Sequence, residues 1–146
     1  MYRQILIERK HRIYQRIVWR ESPNDQLSFY ELNTVTYGTA CAPYLALRTL
    51  KQLCEDEGQN FPLAAEIAKE NFHIDDLLSG AQSLQLAKDR IMELQALMQA
   101  GGFKLRKWAC SHPEALSDIP EEKKANSVIH FFEDKEKINQ RVLGMF

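Results

Sequence analysis

Two aspartates, Asp75 and Asp76, stand side by side within residues 72–80 (FHIDDLLSG). The apolar residues on either side predict two short strands, with the carboxylates at the tip of the hairpin that joins them. Two ionised carboxylates about 4 Å apart repel each other by roughly 1 kcal/mol in bulk water and about 4 kcal/mol at an effective dielectric constant of 20. A fold that holds them together gains from a bound cation, and carboxylates on a tight turn suit Mg²⁺. The sequence therefore predicts a divalent-cation site at this hairpin.

The three cysteines do not indicate a second site of this kind. Cys41, Cys54 and Cys110 are odd in number and widely spaced, and no Cys-x-x-Cys pair occurs in the sequence. This spacing argues against a disulfide framework and against a structural zinc site. Cys110 and His112 would supply only half of a zinc site, because structural zinc needs four ligands and no second pair follows at suitable spacing. Unpaired thiols indicate a reducing compartment, so we expect an intracellular, cytoplasmic protein.

The composition predicts one soluble domain. The 146 residues are 45% hydrophobic and 27% charged, which is enough for a single core. No run of about 18 apolar residues is present, so we predict neither a membrane span nor a membrane partner. The formal net charge is only −1, yet residues 1–20 hold six arginines and lysines against one glutamate. Such a basic segment can follow a phosphate backbone, although a solvated helix face is the commoner origin of such a run.

Turn residues and apolar periodicity predict most of the helices and one further hairpin. Aromatic and β-branched runs at 13–20 and 27–32, joined by a turn-forming cluster, predict two paired strands. Helical spacing predicts a helix of about four turns over 43–58, a shorter one over 62–68 and a third over 83–101. The third helix begins at a serine N-cap and ends at a glycine pair. Its apolar stripe is the face that we expect to pack in the core.

The last third of the chain contributes a strand and a loop to the predicted fold. Alternating residues over 103–108 predict a strand, whereas 111–127 is rich in Pro, Glu, Lys and Ser and is typical of a loop. Apolar segments follow at 128–132 and 141–146. The order of strand, helix, carboxylate hairpin, helix and strand indicates an α+β fold in which two helices pack on one face of an antiparallel sheet.

Three motifs occur in a characteristic order along the chain. Residues 37–43 (YGTACAP) hold an aromatic–glycine pair before Ala-Pro, residues 74–80 (IDDLLSG) hold the paired aspartates, and residues 101–108 are GGFKLRKW. This order and spacing resembles the palm of Bel/Pao-type retrotransposon reverse transcriptases. The resemblance covers residues 1–146, from just after the first catalytic motif to the start of the primer-grip hairpin. It implies a partial reverse transcriptase domain with an incomplete, palm-like antiparallel sheet.

The resemblance also implies an activity, which is two-metal nucleotidyl transfer by an RNA-directed DNA polymerase. In such enzymes a primer 3′-hydroxyl attacks the α-phosphate of a nucleotide, and two Mg²⁺ ions, or Mn²⁺ in their place, stabilise the developing charge. Asp75 would be the main metal ligand, and Asp76 a secondary ligand or an organiser of the site. Lys107 matches the segment in which related polymerases carry a lysine that protonates pyrophosphate, with a solvated lysine as the alternative.

Three residues match nucleotide and template contacts of the same family. Tyr2 falls where an aromatic ring packs beneath the nucleotide sugar and excludes a 2′-hydroxyl, and the alternative is a core tyrosine. Tyr37 and Gly38 match a motif whose backbone approaches nucleotide and template, where a Cβ atom would block close approach. The alternative for Gly38 is a turn glycine.

The chain departs from the family pattern at His73, where tyrosine is usual, and at Thr36, where proline is common. If Tyr2 is aligned correctly, the aspartate of the first catalytic motif lies a few residues before Met1. The fingers, thumb and any ribonuclease H region would belong to a longer polyprotein whose substrates are an RNA or DNA template–primer and dNTPs. We therefore expect this fragment to be inactive alone.

Two other interpretations stay open at the level of sequence. A non-catalytic nucleic-acid-binding remnant would use the basic segment, with Tyr14, Trp19 and Tyr30 as stacking surfaces. A decayed retroelement copy would have no selected function. Without the resemblance, the residues predict only an α+β domain with a divalent-cation site.

Overall fold

The computed structural model describes residues 1–73 and 75–125. The chain divides into two compact units, residues 1–49 and residues 50–146, and the boundary falls inside the first α-helix. The described residues contain three α-helices and two two-stranded antiparallel sheets. The fold is therefore mixed α+β, which confirms the predicted fold class at this level.

The elements follow the predicted order as far as the third helix, but the strands form two sheets instead of one. In chain order they are β1 (Arg16–Trp19), β2 (Ser28–Glu31), α1 (Ala42–Glu57), α2 (Pro62–Asn71), β3 (Phe72–His73), β4 (Asp76–Leu77) and α3 (Leu84–Ala100). Short 3₁₀ helices lie at Tyr2–Gln4, Arg9–Gln15, Pro113–Leu116 and Glu121–Lys123. Within the described ranges β1 pairs with β2 and β3 pairs with β4, and no ladder joins the two hairpins. The single sheet covered by helices on one face is thus absent from this part of the chain.

The β1–β2 hairpin confirms the first predicted strand pair. The strands are antiparallel, with Ile17 opposite Tyr30 and Arg16 opposite Glu31. The Arg16 guanidinium donates from Nε and Nη2 to Oε1 of Glu31, at 2.8 and 2.7 Å. All eight strand residues are exposed. β1 is shorter than predicted because the residues before it, Arg9–Gln15, form a 3₁₀ helix.

Helix α1 confirms the helix predicted from the apolar spacing, and a glycine follows its last turn. The helix begins at Ala42 and ends at Glu57, with Gly58 next in the chain. A Cβ atom at Gly58 would lie 2.3 Å from the backbone oxygen of Cys54. Because that neighbour is backbone and not the end of a flexible side chain, only glycine fits here without a shift of the chain.

Helix α2 begins with Pro62, as predicted, and a side chain from α3 caps its first turn. The preceding residue, Phe61, provides no side-chain cap. Instead, Oε2 of Glu93 accepts hydrogen bonds from the backbone N–H groups of Leu63 and Ala64, at 2.8 and 3.2 Å. A carboxylate at a helix N-terminus satisfies unpaired donors and opposes the positive end of the helix dipole. This contact ties α2 to α3.

Both predicted ends of α3 are confirmed. The Ser83 hydroxyl accepts a hydrogen bond from the backbone N–H of Leu86 at 3.2 Å, which is an N-cap. At the other end Gly102 has a φ of +74°, and the N–H of Phe103 donates to the Met98 carbonyl at 2.8 Å. This six-to-one bond across a left-handed glycine is the Schellman motif.

The core of the second unit lies where α2 and α3 pack together. Ala64 is 0% exposed on α2 and Leu97 is 0% exposed on α3. The other buried residues of this unit come from α1, α2, α3 and the segment after α3, and they are Leu50, Cys54, Ala65, Ile67, Ala68, Leu94, Met98, Phe103, Ala115, Leu116 and Ile119. Small residues on α2 let the helices approach closely, so the packing depends on a few larger side chains of α3.

Cys54 belongs to this core and not to a reactive site. Its side chain is 2% exposed, and burial raises the pKa of its thiol above the ordinary value. The positive charge of Lys69 lowers that pKa in part, and the negative charge of Glu55 raises it further. The thiol therefore stays neutral near pH 7 and packs like a small apolar side chain.

The strand predicted over 103–108 is wrong within the described residues. This segment makes no ladder there, and its one bridge is a parallel contact between Trp108 and Lys124. The physical reason is local, because Lys107 has a φ of +59°, and a left-handed residue breaks the pleat of a strand.

Residues 111–127 were predicted to form a loop, but their described part contains some regular structure. Two 3₁₀ helices interrupt it, and it supplies three buried side chains to the core, namely Ala115, Leu116 and Ile119. The apolar segments predicted at 128–132 and 141–146 lie outside the described residues.

Candidate functional site

The predicted carboxylate hairpin is present in the second unit. Strands β3 and β4 are antiparallel, with Phe72 opposite Leu77 and His73 opposite Asp76. Asp75 lies in the turn and Asp76 is the first residue of β4. Only residues 74 and 75 separate the strands, so the hairpin is tight. The sequence therefore predicted the local geometry of this motif correctly.

Two anchors hold the base of this hairpin. The Asn71 side-chain amide donates to the Leu78 carbonyl at 2.8 Å, and the Leu78 N–H donates to the Asn71 carbonyl at 3.3 Å. Beyond the hairpin, Nη1 of Arg90 on α3 donates to the Gly80 carbonyl. The sequence analysis did not single out Asn71 or Arg90, and no local pattern marks them, because each acts on a residue seven to ten positions away.

The carboxylates of the hairpin are accessible to a cation. Asp75 and Asp76 are exposed, and so is His73, whose side chain shares a face with that of Asp76 because the two residues are directly paired. Nowhere in residues 1–73 and 75–125 do three or more His, Cys, Asp or Glu side chains converge as a metal cluster. The described residues thus offer two adjacent carboxylates. That donor set fits Mg²⁺, which is commonly held by one or two carboxylates together with waters and substrate phosphates.

The residues predicted to contact nucleotide and template lie in the first unit. The rings of Tyr2 and Tyr37 meet edge to face, with centroids 5.0 Å apart and planes at 80°. Tyr2 is half-buried, and Tyr37 is 60% exposed. Gly38 has a φ of +81°, and a Cβ atom there would meet no atom within 4 Å. The turn conformation explains this glycine, and the space above it is open.

The remaining predicted catalytic residue, Lys107, belongs to the second unit. Its side chain is exposed, and it lies on the irregular segment after α3 and not on a strand. Its neighbour Trp108 is half-buried, and the indole Nε1 is buried without a hydrogen-bond partner among the described residues. The role of Lys107 stays a prediction.

A cleft of about 440 Å³ opens in the first unit. Its floor includes the buried residues Ile5 and Val35, and its rim includes Glu8, His11 and Cys41. None of the residues that the family resemblance assigns to nucleotide, template or metal lines it. The cleft therefore lends no support to those predictions.

Comparison with known proteins adds no assignment, since no protein-family model, curated protein or solved structure is significantly similar to this chain. The resemblance to Bel/Pao-type enzymes therefore depends on the three motifs. In the described part of the chain, none of the helices has the length and apolar character needed to cross a membrane.

Proposed function

We propose that this chain is part of the palm of a Bel/Pao-type RNA-directed DNA polymerase, in which Asp75 and Asp76 hold the divalent cations of nucleotidyl transfer. The β3–β4 hairpin is the observation that carries the proposal. It presents two exposed carboxylates that are adjacent in sequence, Asp75 in the turn and Asp76 at the start of β4, within a motif that resembles that family. Its partners would be a template–primer and dNTPs.

The chemistry assigned to the hairpin follows from its charges. Bound Mg²⁺ would lower the pKa of the primer hydroxyl and neutralise charge on the phosphate oxygens. Asp75, in the turn, offers its carboxylate oxygens at the tip of the hairpin, and Asp76 adds a second negative charge from the first residue of β4. Because neighbouring carboxylates repel each other, a cation bound close to both would be favoured electrostatically.

Within the first unit, the contact between Tyr2 and Tyr37 supports the nucleotide-binding part of the proposal. Tyr2 and Tyr37 are 35 positions apart in sequence, yet their rings are in contact, next to the open backbone of Gly38. An aromatic ring held in this way is suited to pack against a sugar, because the edge-to-face contact restricts its movement. We assign Tyr2 to the sugar and the Tyr37–Gly38 backbone to the nucleotide and template. Lys107 is assigned to the leaving pyrophosphate.

A chimaeric polymerase tests this proposal. Residues 1–146 would replace the matching palm region of an active Bel/Pao-type reverse transcriptase, and primer extension would be measured on an RNA template with Mg²⁺ or Mn²⁺. We expect DNA synthesis that depends on the template and on the cation. A chimaera that unfolds cooperatively, binds template–primer and still extends no primer with either cation would contradict the proposal.

A further inference from the structure

We infer that His73 and Asp76 of the β3–β4 hairpin together bind a Zn²⁺ ion. The two residues are directly opposite each other in the ladder, so their side chains lie on the same face of the hairpin. Both are exposed, and a solvated cation can therefore reach them. This site goes beyond the proposed function, in which the aspartates hold Mg²⁺ and the histidine has no role.

The spacing of this pair suits the chelation of a single ion. The Cβ atoms of directly opposed residues lie about 4.5 to 5.5 Å apart, which lets an imidazole and a carboxylate converge. Zn²⁺ binds imidazole nitrogen and carboxylate oxygen at about 2.0 to 2.2 Å. Two hydrogen bonds between Asn71 and Leu78, at 2.8 and 3.3 Å, fix the register at the base of the hairpin. The hairpin therefore presents two donors of different type to one ion.

A mixed donor pair favours Zn²⁺ over Mg²⁺. Mg²⁺ selects oxygen ligands, whereas Zn²⁺ also accepts imidazole nitrogen readily. No group of three or more His, Cys, Asp or Glu side chains converges among the described residues, so waters would complete the coordination shell. Such a site fits an exchangeable ion and not a structural one, which takes four protein ligands. Because Asp76 is also assigned to Mg²⁺, bound Zn²⁺ would compete with Mg²⁺ at the hairpin, a consequence that rests on the proposed function.

The other histidines of the described ranges are placed differently. Nδ1 of His11 lies 3.8 Å from Oε2 of Glu8, but Oε1 of the same carboxylate is 3.0 Å from the Lys10 ammonium, whose charge opposes a metal ion. Nδ1 of His112 lies 3.0 Å from the hydroxyl oxygen of its neighbour Ser111. His73 is set apart from both because a strand ladder holds it against a carboxylate.

A Zn²⁺ titration followed by NMR of the ¹⁵N-labelled chain tests the site. The ¹⁵N shifts of the His73 imidazole report coordination directly, and Zn²⁺ taken up by Cys110 and His112 would be seen separately. We expect the His73 imidazole and the amides near it, on β3 and β4, to shift as free Zn²⁺ rises. Half-saturation should need at least about tenfold less free Zn²⁺ than Mg²⁺, because only Zn²⁺ uses the nitrogen ligand.

Two adjacent aspartates provide a matched pair of variants. Asp76→Asn should raise the dissociation constant of Zn²⁺ at His73 at least about tenfold, because chelation needs both ligands. Asp75→Asn should raise it by less than about threefold, since Asp75 lies in the turn and not opposite His73, and removes only a nearby charge. His73→Tyr keeps a strand-favouring ring and should abolish the preference for Zn²⁺, while the Mg²⁺ dissociation constant stays within about twofold. Unchanged amide shifts at Asn71 and Leu78 would show that each variant keeps the hairpin.

Three outcomes would overturn the inference. The first is a hairpin that responds equally to Zn²⁺ and Mg²⁺. The second is an Asp75→Asn variant that weakens Zn²⁺ binding as much as Asp76→Asn, because general negative charge and not chelation would explain it. The third is a His73→Tyr variant that binds Zn²⁺ as tightly as the unmodified chain.

These results are separable from the proposed function. A chain that binds Zn²⁺ through His73 and Asp76, while its chimaera extends no primer, would support the zinc site and contradict the polymerase assignment. A chimaera that extends primers, while His73 takes up no Zn²⁺, would do the reverse.

Discussion

Replacing Asp75 with asparagine in the chimaeric polymerase should reduce the rate of primer extension at least about 10³-fold, equivalent to roughly 4 kcal/mol of transition-state stabilisation. The substitution keeps the shape of the side chain and removes one negative charge from the exposed turn of the β3–β4 hairpin. A cation held by this turn then loses a charged ligand, and charge that builds on the phosphate is less well neutralised. The measurement is single-turnover extension of a labelled primer with Mg²⁺.

The matching substitution Asp76→Asn should have a smaller effect, because this residue is assigned a secondary role. Asp118→Asn is the control, since Asp118 is an exposed aspartate outside the hairpin. We expect the control to extend primers within about twofold of the parent chimaera. Equal activities of the Asp75→Asn and Asp118→Asn chimaeras would show that the carboxylate at position 75 is not a metal ligand.

Replacing Leu97 with alanine should lower the free energy of unfolding by about 3 kcal/mol, within the usual range of roughly 2 to 5 kcal/mol for such a change in a core. Leu97 is 0% exposed on α3, in the core of the second unit. Its removal leaves a cavity that the small residues of α2, Ala64 and Ala65, cannot fill. Urea unfolding followed by circular dichroism at 222 nm measures the effect, and the midpoint should fall by roughly 1 to 2 M.

Met92→Ala provides the matched control on the same helix. Met92 is 51% exposed, so its truncation should cost less than about 1 kcal/mol. If the two variants unfold at the same urea concentration, α3 does not pack in the way described.

Local patterns were sufficient to predict most elements of this fold. Ser83 and the glycine pair mark the ends of α3, and Pro62 marks the start of α2, because each of these signals acts within one turn of the helix it limits. The carboxylate hairpin was predictable for the same reason, since two strands joined by two residues form a local structure. The tight turn that positions Asp75 and Asp76 is thus encoded within a few residues.

The errors arose where structure depends on distant partners. Alternation over 103–108 describes the side chains of an extended segment, but it does not provide a neighbouring strand, and the left-handed conformation of Lys107 has no signal in the sequence. The cap that Glu93 supplies to α2 joins residues about thirty positions apart. Neither periodicity nor turn chemistry reports on such contacts.

The candidate sites show the same division between local and distant structure. The resemblance suggested roles for Tyr2 and Tyr37, but not that their rings touch. That contact depends on the packing of the N-terminal segment against residues 33–35, where the Val35 N–H donates to the Ile5 carbonyl at 3.0 Å. The resemblance therefore suggested roles for single residues, whereas tertiary structure determines which of their side chains are in contact.

The most direct test of the account is whether the β3–β4 hairpin binds a divalent cation. Substoichiometric Mn²⁺ would be added to the ¹⁵N-labelled chain, and paramagnetic broadening of each backbone amide would be measured. We predict that broadening is strongest from His73 to Leu77, that excess Mg²⁺ reverses it, and that Asp75→Asn with Asp76→Asn removes it. The adjacent exposed acids Glu121 and Glu122 provide the control, and their replacement by glutamine should leave this pattern unchanged. Broadening that is no stronger at the hairpin than at Glu121 and Glu122, or that survives the double aspartate substitution, would contradict the central claim.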